Sequence, residues 1–163
     1  AHATQFPYGR VILDRGNHDA AVSQLLAADP DLIFDEKSGS FFKLILTKKK
    51  WADALAAAQN LILDGSPGQL ATIRSQEQNV LLSEYINSYG KDVFIGGADI
   101  VTEGVWRWYI DGVAADQFWQ GDQNGAPVGL AFAGWKSDHP KADKGVIKFK
   151  KNGEWEADDP NTW

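Results

Sequence analysis

The chain has 163 residues, with 16 basic against 22 acidic side chains and a formal net charge of −6. At 44% apolar and 23% charged residues it has globular rather than disordered composition, and its length suits one domain burying about 70% of its unfolded surface. The acidic balance argues against a dedicated nucleic-acid binder. No apolar run approaches the roughly 20 residues that insert across a bilayer, and the absence of cysteine excludes disulfides, thiol nucleophiles and cysteine metal sites. Seven tryptophans, six of them after residue 100, point to large flat side chains at work in the last third. The absence of methionine fits a processed or excised segment, and Ala1-His2-Ala3 has the small-x-small texture found near signal cleavage sites.

Residues 1–37 read as an appended N-terminal helical arm. Tyr8 to Leu13 is a candidate strand, Asn17 a candidate N-cap, and Val22, Leu25 and Leu26 share one helical face that ends at Asp29-Pro30. Ser38-Gly39-Ser40 reads as the joint to a main domain over 38–163. Phe42, Leu44 and Leu46 alternate with Phe41, Lys43, Ile45 and Thr47, which predicts a strand. A helix follows with Trp51, Leu55, Ala58 and Ile62 on one face, its alanine-rich middle suited to close packing. Lys48, Lys49 and Lys50 at its start read as a solvated charge run.

Asp64 to Gly68 is a turn cluster, and Ser75 with Gln78 makes a capping box that opens a second helix. Leu81, Leu82, Tyr85, Ile86 and Tyr89 form its buried stripe, and Gly90 ends it. Val93 to Ile95 predicts a short buried strand, and Trp106, Trp108 and Ile110 an alternating one that turns at Asp111-Gly112. Residues 113–144 read as a long loop region, of the kind that usually carries function. Gly145 to Lys151 predicts a strand, Asn152-Gly153 a two-residue hairpin, and the basic edge of Lys144, Lys148, Lys150 and Lys151 protection against sheet-to-sheet association. The order implies an α+β fold, two helices flanking a small antiparallel sheet.

Several of these segments together resemble the C-type lectin-like domain over about Phe41 to Asp158. They are Trp51-Ala52-x-Ala54, Gly68-Gln69-Leu70-Ala71-Thr72-Ile73, then Ser75, Glu77 and Asn79, and Phe94-Ile95-Gly96-Gly97. Asp99, Glu103-Gly104-Val105-Trp106-Arg107-Trp108, Asp111-Gly112 and Gly153-Glu154-Trp155 complete the set. Ala58 stands where the family usually has cysteine, so the resemblance is to disulfide-free forms of bacterial surface and secreted proteins, with packing in place of the staple. The resemblance also implies a last strand pairing with the first. The chain stops five residues after Asp158, so either that strand is lacking or part of residues 1–37 replaces it.

Calcium-dependent members carry Glu-Pro-Asn or Gln-Pro-Asp in the long loop and Trp-Asn-Asp on the next strand, because a hard cation needs oxygen ligands. His139-Pro140-Lys141 occupies the first slot, where lysine cannot ligate calcium and histidine is a poor ligand. An alternative register from Trp119 puts Gln123-Asn124 there, and the later motif reads Trp155-Glu156-Ala157-Asp158. The candidate ligand-binding residues are Trp119, Asp122, Asn124, Trp135, Asp138, His139, Lys141, Glu154 and Glu156. Calcium is a candidate cofactor, with Asp138 and Asp158 its candidate ligands. Asp116 belongs to the same group of loop acids. Trp119 and Trp135 either stack on a ligand or pin the loop to the core, and Trp51, Trp106, Trp108 and Trp155 read as core.

No nucleophile elbow, phosphate loop, His-Glu-x-x-His or dinucleotide fingerprint is present, so no enzyme is expected. Two readings stay open, both secreted or at the cell surface. One is a carbohydrate-binding or adhesive module; the other is a calcium-independent protein-interaction module on the same fold. Neither involves nucleic acid or membrane insertion.

Overall fold

The computed structural model describes residues 1–7 and 15–163. In chain order the elements are β1 (His2–Pro7), α1 (Arg15–Ala28), β2 (Leu32–Asp35), β3 (Ser40–Ile45), α2 (Trp51–Asn60), β4 (Ile62–Leu63), β5 (Ser66–Pro67) and β6 (Gln69–Leu70). They continue as α3 (Gln76–Tyr89), β7 (Val93–Ala98), β8 (Val105–Ile110), β9 (Val113–Gln120), β10 (Ala126–Pro127), β11 (Val146–Phe149) and β12 (Trp155–Asp158). The architecture is α+β. Strands run β10-β9-β8-β7-β1-β3-β2, with β11 joined to β7 and β12, and β6 joined to β1; β4 and β5 form a separate ribbon.

Helix α3 forms for the reasons its sequence suggests, whereas α2 ends at Asn60, leaving Leu55 half-buried and Ile62, expected on its buried face, exposed in β4. Ser75 Oγ accepts from Gln78 N at α3's start, and Gly90 closes it in the left-handed region at φ 66°. Leu82 and Ile86 are buried, whereas Tyr89 at the last turn is exposed and bonds Asp31. Helix α2 buries Trp51, Ala54 and Ala58, and the Trp51 indole donates to Ile95 O at 2.9 Å. Gly68 is required beside it: a Cβ there would lie 2.6 Å from Ala58 O. Ala58, where the resemblance implies a cysteine, sits among Trp51, Leu70, Phe94 and Tyr109. A disulfide contributes about 2–4 kcal/mol; two fully buried side chains at about 1.5–3 kcal/mol each match it.

Residues 1–7 and 15–37 do not form an appended arm. Strand β1 pairs antiparallel with β3 through six residues, His2 to Pro7 against Ile45 to Ser40, and His2 to Phe6 are buried. The edge of β3 that the resemblance assigns to a last strand is therefore held by β1. Phe6, Val22, Leu32 and Phe41 form one buried cluster, with Leu25 and Leu26 against it, so α1 packs onto the sheet by the face its sequence indicates. Asp35 to Ser40 is a hairpin turn rather than a joint, closed by Gly39 N to Asp35 O at 2.8 Å. The candidate strand Tyr8 to Leu13 lies outside the described residues, and α1 begins at Arg15, which puts Asn17 inside its first turn.

Three later expectations also change. Residues 113–120 are not loop but strand β9, paired with β8 from Val105↔Gln120 to Ile110↔Val113, with irregularities between. Its own alternation is weak because much of it stays accessible; the partner strand defines it. The turn before β12 is longer than two residues. Lys150 and Glu154 bracket it, Gly153 N bonds Lys150 O, and Gly153 alone takes the left-handed conformation (φ 90°), where a type I′ turn needs two such residues. Finally, β11 is no edge: it lies between β7 and β12, with Lys148 Nζ 3.7 Å over the Phe94 ring.

Candidate functional site

Strands β8, β9 and β12 and the loop at 131–136 converge on an aromatic cluster. Trp106, Trp108, Phe118 and Trp155 are buried. Trp108 stacks on Phe118 at 4.4 Å, and Trp135 meets Trp106 at 4.8 Å and Trp155 at 5.7 Å. Trp119 and Trp135 are half-buried and pack against this core, 6.3 Å apart and steeply inclined. Backbone bonds tie the loop down: Trp155 N donates to Gly134 O and Lys136 N to Trp155 O, both at 2.9 Å. From the helical side, buried Asn79 donates to Gly153 O and accepts from the Trp155 indole, each at 2.8 Å. Trp135 Nε1 is buried without a partner.

Two separate sets of polar groups lie on the segments that carry this cluster, one in the turn after Trp119 and one on the face of β12 opposite Trp155. The Trp119 indole donates to Asp122 O at 3.1 Å, and the Asp122 carboxylate accepts from Asn124 N at 2.9 Å. Glu156 lies between Lys136 at 3.3 Å and Lys150 at 3.7 Å, and Lys150 also pairs with Asp92 at 3.1 Å. His139 Nδ1 accepts from Ala157 N at 3.0 Å. Burial holds the His139 imidazole below its ordinary pKa, with Glu156 and Asp138 opposing and Lys141 and Lys136 reinforcing. The ring is therefore neutral near pH 7, with its proton on Nε2 as a donor. Hydroxyl groups of a ligand would find carboxylate acceptors and imidazole, ammonium and amide donors here.

Of the candidates named from the sequence, Trp119, Trp135, Asp122 and Asn124 are joined by the contacts above, whereas His139 bonds the β12 backbone and Glu156 lies on the face of β12 opposite Trp155. Asp138 is exposed, in the left-handed region at φ 71°, and Lys141 is half-buried. Glu154 lies at the hairpin tip, held by Asn152 Nδ2 at 2.7 Å. Asp158 caps the C-terminal turn through Asp159 N at 2.8 Å, and its carbonyl accepts from Gly145 N.

The donor set at this loop does not suit calcium, which takes six to eight oxygens. His139 has its Nδ1 lone pair committed to Ala157, Lys141 brings a cation, and Glu156 is neutralised by two lysines. Among the described residues no group of three or more His, Cys, Asp or Glu side chains could hold a metal. Asp116, placed among the loop acids by sequence, lies on β9 and makes a bidentate pair with Arg74 at 2.7 and 3.2 Å.

Sequence reading missed two further polar features. Asp99, after β7, is buried with Oδ1 unpartnered while Oδ2 accepts from Gly104 N. Burial pushes its carboxyl up to about 6, against the Gly104 bond and helped by the Glu103 charge. An acid following the apolar run Phe94 to Ala98 was the available signal. The second feature is Gln5, which donates to Ser40 Oγ at 2.9 Å and accepts from Thr72 N and Oγ1 at 2.8 and 2.9 Å. Its assignment to an arm hid it.

No family model matches the chain. It is 31% identical over 140 residues to Halomucin of Haloquadratum walsbyi, an alignment covering 84% of this chain and 2% of that protein's length. It is 30% identical over 137 residues to Lectin BRA-3 of Megabalanus rosa, covering 80% of this chain and 71% of that one. Among solved structures it resembles the cow C-type carbohydrate-recognition domain of CD23, determined in the presence of GlcNAc2Man3 oligosaccharide. The TM-score is 0.50 at 21% identity, covering 70% of this chain and 73% of that one.

Proposed function

The chain belongs to the C-type lectin-like domain family, and on that premise we propose that it is a carbohydrate-recognition module of a secreted or cell-surface protein. The observation that carries this reading is the half-buried Trp119 ring, oriented by its bond to Asp122 O and by Trp135, beside the polar turn of Asp122 and Asn124. A sugar's apolar face stacks on an indole while its hydroxyls bond neighbouring polar groups. Asp122 and Asn124 supply those groups. The names of its relatives support the ligand class: one is a lectin, and one neighbour in fold was solved with an oligosaccharide. Because the donor set does not suit calcium, recognition here runs on direct hydrogen bonds and stacking.

One observation favours a protein ligand instead. Leu130 is fully exposed and Val128 near it is 39% exposed, giving the loop an apolar tip. A glycan array probed in calcium and in chelator, with wild type, Trp119→Ala and Leu130→Ser, separates the readings. Glycan hits that survive chelator and Leu130→Ser but vanish in Trp119→Ala support the carbohydrate reading. An array blank in both buffers overturns it.

A further inference from the structure

We propose that a cavity beside β1, walled in part by side-chain amides and hydroxyls and sharing no residue with the long-loop face, is a second binding pocket that takes a neutral sugar or polyol unit. The cavity has a volume of about 340 Å³, within the range of small-molecule sites. Gln5, Ser40, Gln69, Thr72 and Gln78 line it, each more than nine-tenths buried. Five buried polar side chains around one small cavity are unusual in a domain interior, where such groups are costly unless partnered.

Their bonds show which atoms are already committed. Gln5 is saturated on its acceptor side by Thr72 and donates to Ser40 Oγ, so it braces the wall. Gln78 Oε1 accepts from Arg74 N at 2.7 Å, which fixes the amide and leaves its NH2 group without an acceptor among the described residues. Gln69 is 7% exposed, and its side-chain amide has no hydrogen-bond partner among the described residues. Backbone pairing of Gln69 with Gln5 holds it in place. The pocket thus offers an unused amide donor–acceptor pair, a second amide donor and the Ser40 hydroxyl.

The chemistry selects the ligand class. Side-chain amides and hydroxyls bond vicinal hydroxyls in both directions, as donor and acceptor. Arg74, the lining group with a formal charge, is occupied bidentately by Asp116, so no free charge calls for an ionic ligand. The apolar parts of Pro7 and Ile110 complete the lining and suit the C–H surface of a sugar ring.

This inference adds a subsite to a glycan-binding chain but does not depend on the long-loop face. The test is amide-resolved NMR of wild type, Gln69→Leu and Trp119→Ala, titrated in chelator with methyl glycosides of glucose, galactose, mannose and N-acetylglucosamine, and with glycerol. The expected result is saturable shifts at Ser40, Gln69, Thr72 and Gln78 with at least one glycoside. They should weaken at least about tenfold in Gln69→Leu, the loss of two or so hydrogen bonds, and persist in Trp119→Ala. A preserved wild-type spectral dispersion confirms that Gln69→Leu is folded; if it is not, Gln78→Leu takes its place with the same expectation. No shift at these residues with any probe overturns the proposal, as does a shift unchanged by the amide variants. Shifts at Trp119 and Asn124 report on the long-loop reading separately.

Discussion

Replacing Asn79 by alanine removes the side chain that joins α3 to the last hairpin. Asn79 is 6% exposed and serves two partners at 2.8 Å, the Gly153 carbonyl and the Trp155 indole N–H. Both partners lie in a buried region where water cannot take over. Each polar group left unpaired costs about 1–3 kcal/mol, so the pair gives roughly 4 kcal/mol. With a urea slope of about 2 kcal/mol per molar, the unfolding midpoint should fall by about 2 M. Trp155 emission should shift at the same time, since its indole loses its acceptor. Asn79→Asp tests the directionality. The carboxylate can still accept from the indole but turns an oxygen toward Gly153 O, so it should be at least as damaging near pH 7 and recover partly on acidification. A midpoint change below about 0.5 M for Asn79→Ala, roughly 1 kcal/mol, would refute the idea that these two bonds anchor the hairpin under the aromatic cluster.

Other consequences are equally direct. Asp99, an acid raised to about 6 from 3.8, contributes stability below pH 4 that is lost as pH rises through 6, roughly 3 kcal/mol. Buried His2, with both ring nitrogens unpartnered and its pKa lowered to about 4 by burial, does the reverse: its contribution, also roughly 3 kcal/mol, is present above 6.5 and lost as pH falls through 4. The two oppose each other between pH 4 and 6. Denaturant titrations should therefore show steeper acid destabilisation in Asp99→Asn than in wild type, and a shallower one in His2→Leu; parallel curves would contradict both assignments. Gly68→Ala drives a Cβ to 2.6 Å from Ala58 O and 2.7 Å from Thr4 Cγ2, and should cost about 2 kcal/mol in equilibrium unfolding. Millimolar calcium against chelator should leave the thermal midpoint unchanged, because binding to the folded state alone would raise it.

The helices were legible because their signals are local. Ser75, Gln78 and Gly90 mark α3 by capping chemistry that acts within four residues; Ser75 and Gly90 act as expected, while the Gln78 side chain accepts from Arg74 N rather than from the N-cap's own N–H. Strand β1 was not, because His2, Thr4 and Gln5 are polar residues in a buried central strand, and nothing nearby in sequence discloses their partners on β3 and β6. The same limit hid β9, whose accessible half alternates poorly, and the lysines of β11, where Lys148 lies over a ring and Lys150 in an ion-pair network. For the candidate site, tryptophan position was readable: Trp51, Trp106, Trp108 and Trp155 are buried, as their place in the resemblance implies. Which loop acids face one another was not readable, since Asp116 finds Arg74, 42 residues away, and Glu156 finds lysines on two other segments.

The central claim is glycan recognition at the Trp119 face by stacking and direct hydrogen bonds. Calorimetric titration of the strongest array glycan into wild type, Trp119→Ala and Asn124→Ala, each with calcium and with chelator, tests it most directly. The account predicts one wild-type affinity in both buffers, and a weakening in each variant. An affinity that collapses on chelation, or one that Trp119→Ala leaves intact, would contradict it.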